Sequence, residues 1–331
     1  MARQAMRTRK PVRSADTQER GSAGHRTVIT GASGGFRRAA VWYVFVLPPF
    51  ALLVLFVCLP TAQTFLQSLY REVGPDQQQF VGVDQFTKLG TTGVFWDALI
   101  NTVLLGIAFL ALVIPLAAVL AAMLNHVRRG ATALKVIYFL PQLTSSVAVA
   151  LIFLYVFQPD WGLLNGFLHV LGIEDVPLWL AEPSFGLTGS RAAVTILAVW
   201  TGLGYFILVF LAGIQSIPVE LYEAAAVDGA NPFQLWRYIT LPGLRPTIIF
   251  LVMTGAFDAM ARFSDLWTLG GPGGSPARTL QSIVMLMYQV GFVSHDVNQA
   301  AAIAVVFFLI MLALTVVAYR AFLSREFKAR S

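Results

Sequence analysis

Charged residues along the chain gather into short polar stretches. Between them lie six apolar windows, each long enough to give a helix the roughly 20 residues it needs to cross a bilayer. The first lies within Ala39–Tyr70, which contains no charged residue, and the second within Ala98–Asn125, bounded by Asp97 and the cluster His126, Arg128 and Arg129. The third covers Val136–Gln158, the fourth Ala192–Ile217, the fifth Thr247–Leu269 and the sixth Ala300–Tyr319. Only the fifth carries charge, at Asp258, Arg262 and Asp265. Backbone N–H and C=O groups find no partners in hydrocarbon, so windows of this length and polarity are predicted to be helices. The expected fold class is an all-α membrane protein with six transmembrane helices in residues 39–323, a basic tail at 1–38 and a short polar tail at 324–331.

Composition narrows the function. Of 331 residues, 57% are hydrophobic and 12% charged, with a mean hydropathy of +0.70, whereas soluble domains are about 25% charged. That excludes a water-soluble enzyme. Charge also orients the chain, because basic loops are retained on the cytoplasmic side. Segments 1–38, 125–135, 217–247 and 320–331 hold 18 of the 23 basic residues and six of the 17 acidic ones, a net +12, while the remainder carries −6. Both termini are therefore predicted to be cytoplasmic, and an even number of crossings returns the chain to its starting side. The Arg-, Ser- and Gly-rich segment 1–38 has almost no apolar run and is predicted to be a disordered, topology-fixing tail, with contact to anionic lipid as its alternative role. No secretory signal is predicted, because the first apolar stretch is long enough to span and no small-residue cleavage site follows it.

Catalytic and metal chemistry find little support. The single cysteine, Cys58, rules out a disulfide framework and a multi-cysteine zinc site. His25, His126, His169 and His295 fall in separate segments, with no pair at the spacing that ligation from one helix requires. Neither GxxxxGK[ST] nor GxSxG occurs. The run Thr30–Phe36 is glycine-rich, but it follows no strand pattern and abuts arginines, so it reads as a linker. No catalytic residue, metal ligand or cofactor is predicted in this chain, and nothing points to nucleic acid. Energy for any concentrative work must come from elsewhere.

The stretch Pro218–Thr247, between the fourth and fifth windows, is too patterned for a mere connector. Glu220–Val227 reads as a short helix with its acidic residues early, where they complement the dipole. Gly229 ends it, and Asn231-Pro232 restarts a second helix through Leu235, Trp236, Tyr238 and Ile239 as far as Pro242. The predicted product is a bent pair of helices on the cytoplasmic side, small residues on one arm and aromatics on the other, shaped to enter a groove on a partner.

Within that stretch, Glu223-Ala224-Ala225, three residues, Gly229, nine residues, then Ile239, Leu241 and Pro242 match the pattern EAA-x3-G-x9-I-x-LP at every fixed position. This is similar to the EAA loop of permease subunits in binding-protein-dependent ABC importers. Tyr138-Phe139-Leu140-Pro141, Gly162-Leu163-Leu164-Asn165, the run Phe80–Phe86 and Leu269-Gly270-Gly271-Pro272 resemble landmarks of its carbohydrate-uptake branch, the last departing from the usual approach to the glycine-proline pair. The resemblance implies a type I importer permease fold in a bacterial inner membrane, paired with a second, homologous permease, a dimer of ATPase subunits that holds ATP and Mg, and an extracytoplasmic solute-binding protein. It also implies that Glu223, Ala224, Ala225, Asp228, Gly229, Ile239, Leu241 and Pro242 dock the ATPase.

Two stretches are candidates for the solute's path. Asp258, Arg262 and Asp265 recur at i, i+4 and i+7, on one face of a continuous fifth helix. Charge facing lipid costs about 2.5–3.5 kcal/mol at mid-membrane, so that face is predicted to look inward, either lining the path or clamping helices together. In the fourth window, Trp200–Tyr205 interrupts an aliphatic run with glycines and aromatics, and the resemblance makes Trp200, Gly204 and Tyr205 solute-site candidates. Asn101, Gln142, Thr144, Ser145 and Ser146 are read as hydrogen-bonding their own helices or interfaces. The rival reading, a self-sufficient secondary transporter or channel using the three charges for ion coupling, leaves the EAA match unexplained.

Overall fold

Hydrocarbon offers no partner to a peptide group, and the chain meets that constraint with helix nearly throughout. The computed structural model describes residues 33–74, 77–174, 178–180 and 189–330, with side chains placed between 43 and 320. Residues 1–32, and with them most of the expected basic tail, lie outside the described residues. The chain divides into two units at Cys58/Leu59. The first comprises α1 (Ser33–Leu53) and a π-helical turn (Val54–Cys58). Pro48 and Pro49 within α1 lack the amides that would bond the carbonyls one turn earlier.

The second unit opens with α2 (Leu59–Gln67) and a short hairpin, β1 (Tyr70–Gly74) with β2 (Gln77–Phe80). The strands pair antiparallel, Tyr70 opposite Phe80 and Arg71 opposite Gln79. The polar Gln77–Gln79 run hid this hairpin from the hydrophobic pattern. Then follow α3 (Asp84–Thr91), α4 (Gly93–Asn125), α5 (Ala131–Phe139), α6 (Ser146–Val156), α7 (Leu163–Val170), α8 (Ser190–Gln215), α9 (Val219–Val227), α10 (Pro232–Leu235), α11 (Leu241–Gly243), α12 (Arg245–Met260), α13 (Ser264–Gly270), α14 (Ile283–Tyr288) and α15 (Val297–Arg330).

Among the described residues, four helices are long and apolar enough to cross a membrane unbroken: Tyr43–Gln67, Gly93–Asn125, Ser190–Gln215 and Val297–Arg320. Two bent pairs pass the same test of length and composition, Ala131–Leu143 with Ser146–Val156 at 97°, and Pro232–Gly243 with Arg245–Met260 at 61°, the second through its α12 arm. With each bent pair counted as one span, the described residues hold six, as many as the sequence has windows. Two of them depart from the sequence pattern. The third starts at Ala131 rather than Val136 and folds back at Thr144, whose ψ of 153° is extended. The fifth is not one helix to Leu269: α12 stops at Met260 and α13 restarts at Ser264. The helical spacing assumed for Asp258, Arg262 and Asp265 therefore holds only up to the break.

Helix α4 carries two faces. Ala98, Asn101, Leu105, Phe109, Val113, Ala117 and Ala121 are buried, while Val103, Ile107, Leu112, Leu116, Val119 and Met123 point outward. Both faces are apolar, as lipid demands, and small residues set the packing face. It meets α8 and α12 in a core that includes Phe109, Phe206, Phe210, Leu244 and Leu251. Phe109 and Phe206 pack edge to face, with centroids 5.6 Å apart. A second core joins Leu105, Val149, Leu197, Leu266, Leu280 and Met285, and a third joins Leu89, Phe95, Ile283, Leu286 and Ile303.

Helix α8 approaches the third span closely at Gly204, where a Cβ would overlap the carbonyl of Tyr138. Gly204→Ala must move backbone, not just side chain. It is expected to cost about 1–3 kcal/mol, as overpacking does, read as a lower unfolding midpoint in detergent. At Gly90 an added Cβ meets open space, so Gly90→Ala is expected to stay within about 0.5 kcal/mol.

Candidate functional site

The first candidate region is the segment joining α8 to α12. Helix α9 begins after Pro218 with Glu220 in its first turn and ends in a Schellman arrangement: Gly229 N donates to Ala226 O at 3.1 Å and Ala230 N to Ala225 O at 2.9 Å. Gly229 has φ +79°, the left-handed conformation that this closure requires. Two residues later Asn231 caps α10. Its side chain accepts from Gln234 N at 2.9 Å while Gln234 Oε1 accepts from Asn231 N at 2.8 Å. A stop and a start are thus fixed within three residues of each other.

The second arm continues from α10 through a π turn, Trp236–Thr240, into α11. Pro242 cannot donate to the carbonyl of Tyr238, and the wider turn absorbs the missing bond. Helix therefore continues past Pro242 to Gly243 rather than ending at it. The hydroxyls of Tyr222 on the first arm and Thr240 on the second lie 3.0 Å apart and hydrogen-bond, so the arms are braced together. Thr240 and Leu244 are buried, and Leu244 belongs to the core shared by α4, α8 and α12. The opposite surface is open. Val227 is 88% exposed, Phe233 and Tyr238 each 70%. Glu223, Ala224, Asp228 and Gly229 are exposed beside them, Leu241 is also exposed, and Ala225, Ile239 and Pro242 are half-buried. Exposed apolar side chains rimmed by carboxylates, on an elbow fixed from within, make a surface built to be covered.

The second region is a cavity of about 380 Å³ between α8, the bend of the third span and the break of the fifth. Asp258, Arg262, Asp265 and Tyr205 all line it. Arg262 Nε donates to Asp265 Oδ2 at 3.0 Å, and Nη2 donates to the same oxygen. The pair is nearly buried, with side chains 13% and 10% exposed. Asp265, near the end of the fifth window, is thus shielded from solvent. Where α12 ends, the freed carbonyl of Arg262 accepts from Ser282 Oγ at 3.0 Å. Asp258, in the last turn of α12, is exposed on the cavity wall.

Trp200 and Gly204 stand away from this cavity. Their shared face of α8 packs against the third span, Trp200 against Phe153 with centroids 5.4 Å apart and Gly204 against Tyr138. The adjoining face, Thr201, Gly202, Tyr205 and Phe206, looks into the cavity. The bend at Thr144 also delivers Gln142 and Ser146, read from the sequence as helix- or interface-bonding, to the wall. Pro141, the sixth residue of the expected third window, was the signal for that bend. Asn101 makes the interface bonds expected of it. Its amide donates to the carbonyls of Arg278 and Gln281 at 2.7 and 3.3 Å, and its carbonyl accepts from Arg191 Nη2 at 2.6 Å. Among the described residues there is no cluster of His, Cys, Asp and Glu able to hold a metal ion.

A helical membrane bundle with a polar cavity in its interior and a braced elbow projecting from one end has the form of a membrane-spanning transport subunit. The chain belongs to the family of inner membrane components of binding-protein-dependent transport systems, whose model matches residues 113–328. It is 30% identical over 285 residues to the trehalose/maltose transport system permease protein MalF of Thermococcus litoralis, covering 85% of this chain and 93% of that one. It is 32% identical to the diacetylchitobiose uptake system permease protein NgcF of Streptomyces coelicolor, covering 82% and 79%. A chain of a bacterial ABC transporter for import of the acidic polysaccharide alginate shares the fold with a TM-score of 0.73 at 28% identity, covering 87% of this chain and 98% of that one. A chain of the alginate transporter solved with a pentasaccharide-bound periplasmic protein gives 0.74 at 26% identity, covering 86% and 94%.

The ion pair carries a consequence for stability. Asp265→Ala strands the Arg262 guanidinium in a nearly buried site, at a cost of about 3–5 kcal/mol, whereas the apolar double replacement Arg262→Met with Asp265→Leu is expected to recover most of that loss. Unfolding midpoints of Arg262→Met, Asp265→Leu and their double, taken as a double-mutant cycle with Asp265→Ala beside them, check it.

Proposed function

We propose that this chain forms one half of the translocation pathway of an ATP-driven importer for a carbohydrate or a related polyol-like solute, and that its elbow is the coupling element. The other half would be a second, homologous permease. A solute-binding protein would deliver cargo from outside, and a pair of ATPase subunits, which hold the ATP and Mg, would receive the elbow on the cytoplasmic side. The reading is supported by relatives named for sugar uptake and by the full match of Glu223-Ala224-Ala225, Gly229, Ile239, Leu241 and Pro242 to the loop pattern.

The single observation that carries the coupling role is the elbow's construction. Its docking face is apolar and open, while its inner face is bonded shut by Tyr222 and Thr240 and rooted by Leu244. Val227, Phe233 and Tyr238 would supply the buried contact area, Glu223 and Asp228 the polar rim, and Ala224 and Ala225 the close approach. A push on this surface cannot be spent on flexing the elbow. It passes to α12, whose 16 residues span about 24 Å at the helical rise and end at the cavity wall beside Asp258. Motion of the ATPase pair would in this way reach the solute cavity, which is what alternating access requires.

Gly229 separates docking from folding. An added Cβ there meets nothing within 4 Å, so only its φ of +79° resists a side chain, at about 1–2 kcal/mol for an ordinary residue. Gly229→Val is expected to cut ATP-driven uptake at least tenfold and to weaken capture of the ATPase, with membrane insertion unchanged. Gly229→Asn, which tolerates that conformation, is expected to keep most of both. Uptake assays in proteoliposomes and co-purification of the ATPase check the pair. Uptake by this subunit alone, without ATP, would instead establish the secondary-transporter reading.

A further inference from the structure

The charges on the cavity wall do not cancel. Among its described lining residues, Asp258, Arg262 and Asp265 are the charged ones. Two of them are spent on each other: Arg262 reaches Asp265 through both Nε and Nη2, and both side chains are nearly buried. Asp258 is different. It is exposed, it lines the same cavity, and it has neither a hydrogen bond nor an ion pair to any described residue. Net, this half of the cavity presents one negative charge, carried by a carboxylate that is open to whatever enters.

The rest of the wall is uncharged: polar, aromatic or small. Gln142 and Ser146 offer donors and acceptors from the bend of the third span, and Tyr205 offers a ring face and a hydroxyl. Such a set suits a ring bearing hydroxyls. The wall's one arginine is matched in charge by Asp265, although the buried Nη1 of Arg262 has no hydrogen-bond partner among the described residues, so no net positive charge is left to neutralise an anionic solute. A carboxylate or phosphate on the solute would meet Asp258 in a confined, partly dehydrated space, where like charges repel more strongly than in water. An ammonium group would instead find a counter-ion, and a hydroxyl an acceptor.

We propose that Asp258 is a specificity-determining residue that turns this cavity against anionic sugars, so that the solute class it admits is neutral or amino-bearing saccharides and not uronates or sugar phosphates. The inference rests on the reading of the cavity as part of the solute path. It sets this chain apart from the alginate importer whose fold it shares, which is described as carrying an acidic polysaccharide.

The test uses the assembled transporter, both permeases with the ATPase pair, in nanodiscs of neutral lipid. Three radiolabelled probes of similar size are compared by equilibrium dialysis: maltose, a glucosamine disaccharide and a mannuronate disaccharide. The wild type is expected to bind the mannuronate probe at least tenfold more weakly than either of the others. In Asp258→Asn, a near-isosteric change at an exposed position, that gap should shrink to threefold or less and the glucosamine probe should lose its advantage. Asp258→Glu, which restores the charge, should restore the discrimination. Mannuronate binding within threefold of maltose in the wild type, a preference unchanged in Asp258→Asn, or binding of none of the probes would overturn the proposal. Co-purification of the ATPase from the same preparation keeps the two readings apart. A complex that retains the ATPase but lacks charge preference defeats only the cavity inference, whereas one that never assembles with an ATPase defeats the importer reading.

Discussion

The requirement that every peptide group inside the membrane be hydrogen-bonded governs this molecule more than any other constraint. A helix meets it automatically, so each place where helix stops inside a span must find another donor or acceptor. At the bend of the third span, the carbonyl of Pro141 accepts from Thr144 N at 3.2 Å and from Thr144 Oγ1 at 2.6 Å. At the break of the fifth, Ser282 reaches the carbonyl of Arg262. Both interruptions open onto the same cavity. The polar interior is thus a by-product of two repaired helix breaks, and the repairs are made by short hydroxyl side chains that would look unremarkable on a straight helix.

The same economy explains the charges. A buried arginine in an apolar bundle is tolerable only when its guanidinium is matched, and Asp265 supplies that match from the first turn of the restarted helix. The ion pair therefore holds the break closed across Phe263, whose φ of −138° and ψ of −60° mark the discontinuity. Of the two roles the three charged residues could have in the fifth span, the pathway and the clamp, the geometry divides them. Arg262 and Asp265 pair with each other across the break while lining the cavity, and Asp258 lines it without a partner among the described residues.

How much of this the sequence carried depends on what each element answers to. The six windows were legible because lipid imposes one rule on all of them, a run of apolar residues, whatever their neighbours. The elbow was legible because its turn is encoded locally: Gly229 for the positive φ, and Asn231, Pro232 and Gln234 for the capping box. The bend at Thr144 and the break at Ala261–Phe263 were not, because each is stabilised by groups whose role only the tertiary structure reveals, Ser282 lying 20 residues beyond the carbonyl it satisfies. Periodicity placed Asp258, Arg262 and Asp265 together for the wrong reason. They do share a cavity, but across a break and not along one helix face. Within Trp200–Tyr205 the pattern could not say which face of α8 looked at the third span and which at the cavity, because both are lined by aromatic and small residues.

What joins the two regions is α12, and its sequence is suited to transmission. It is entered through Pro246, which pre-sets its first turn, and it is seated by Leu244 and Leu251, both fully buried between α4 and α8. Gly255 lets it lie so close to α4 and α8 that a Cβ there would press on Leu110 and Phe206 at 2.7 and 2.8 Å. A rod packed this tightly cannot slide by small continuous amounts, because interiors at crystal-like density resist partial displacement. It can, however, move as one piece with its packing partners. Displacement of the elbow would then reach Asp258 and the Arg262–Asp265 break together, opening or closing the cavity at the point where helix is already interrupted and the cost of further bending is least.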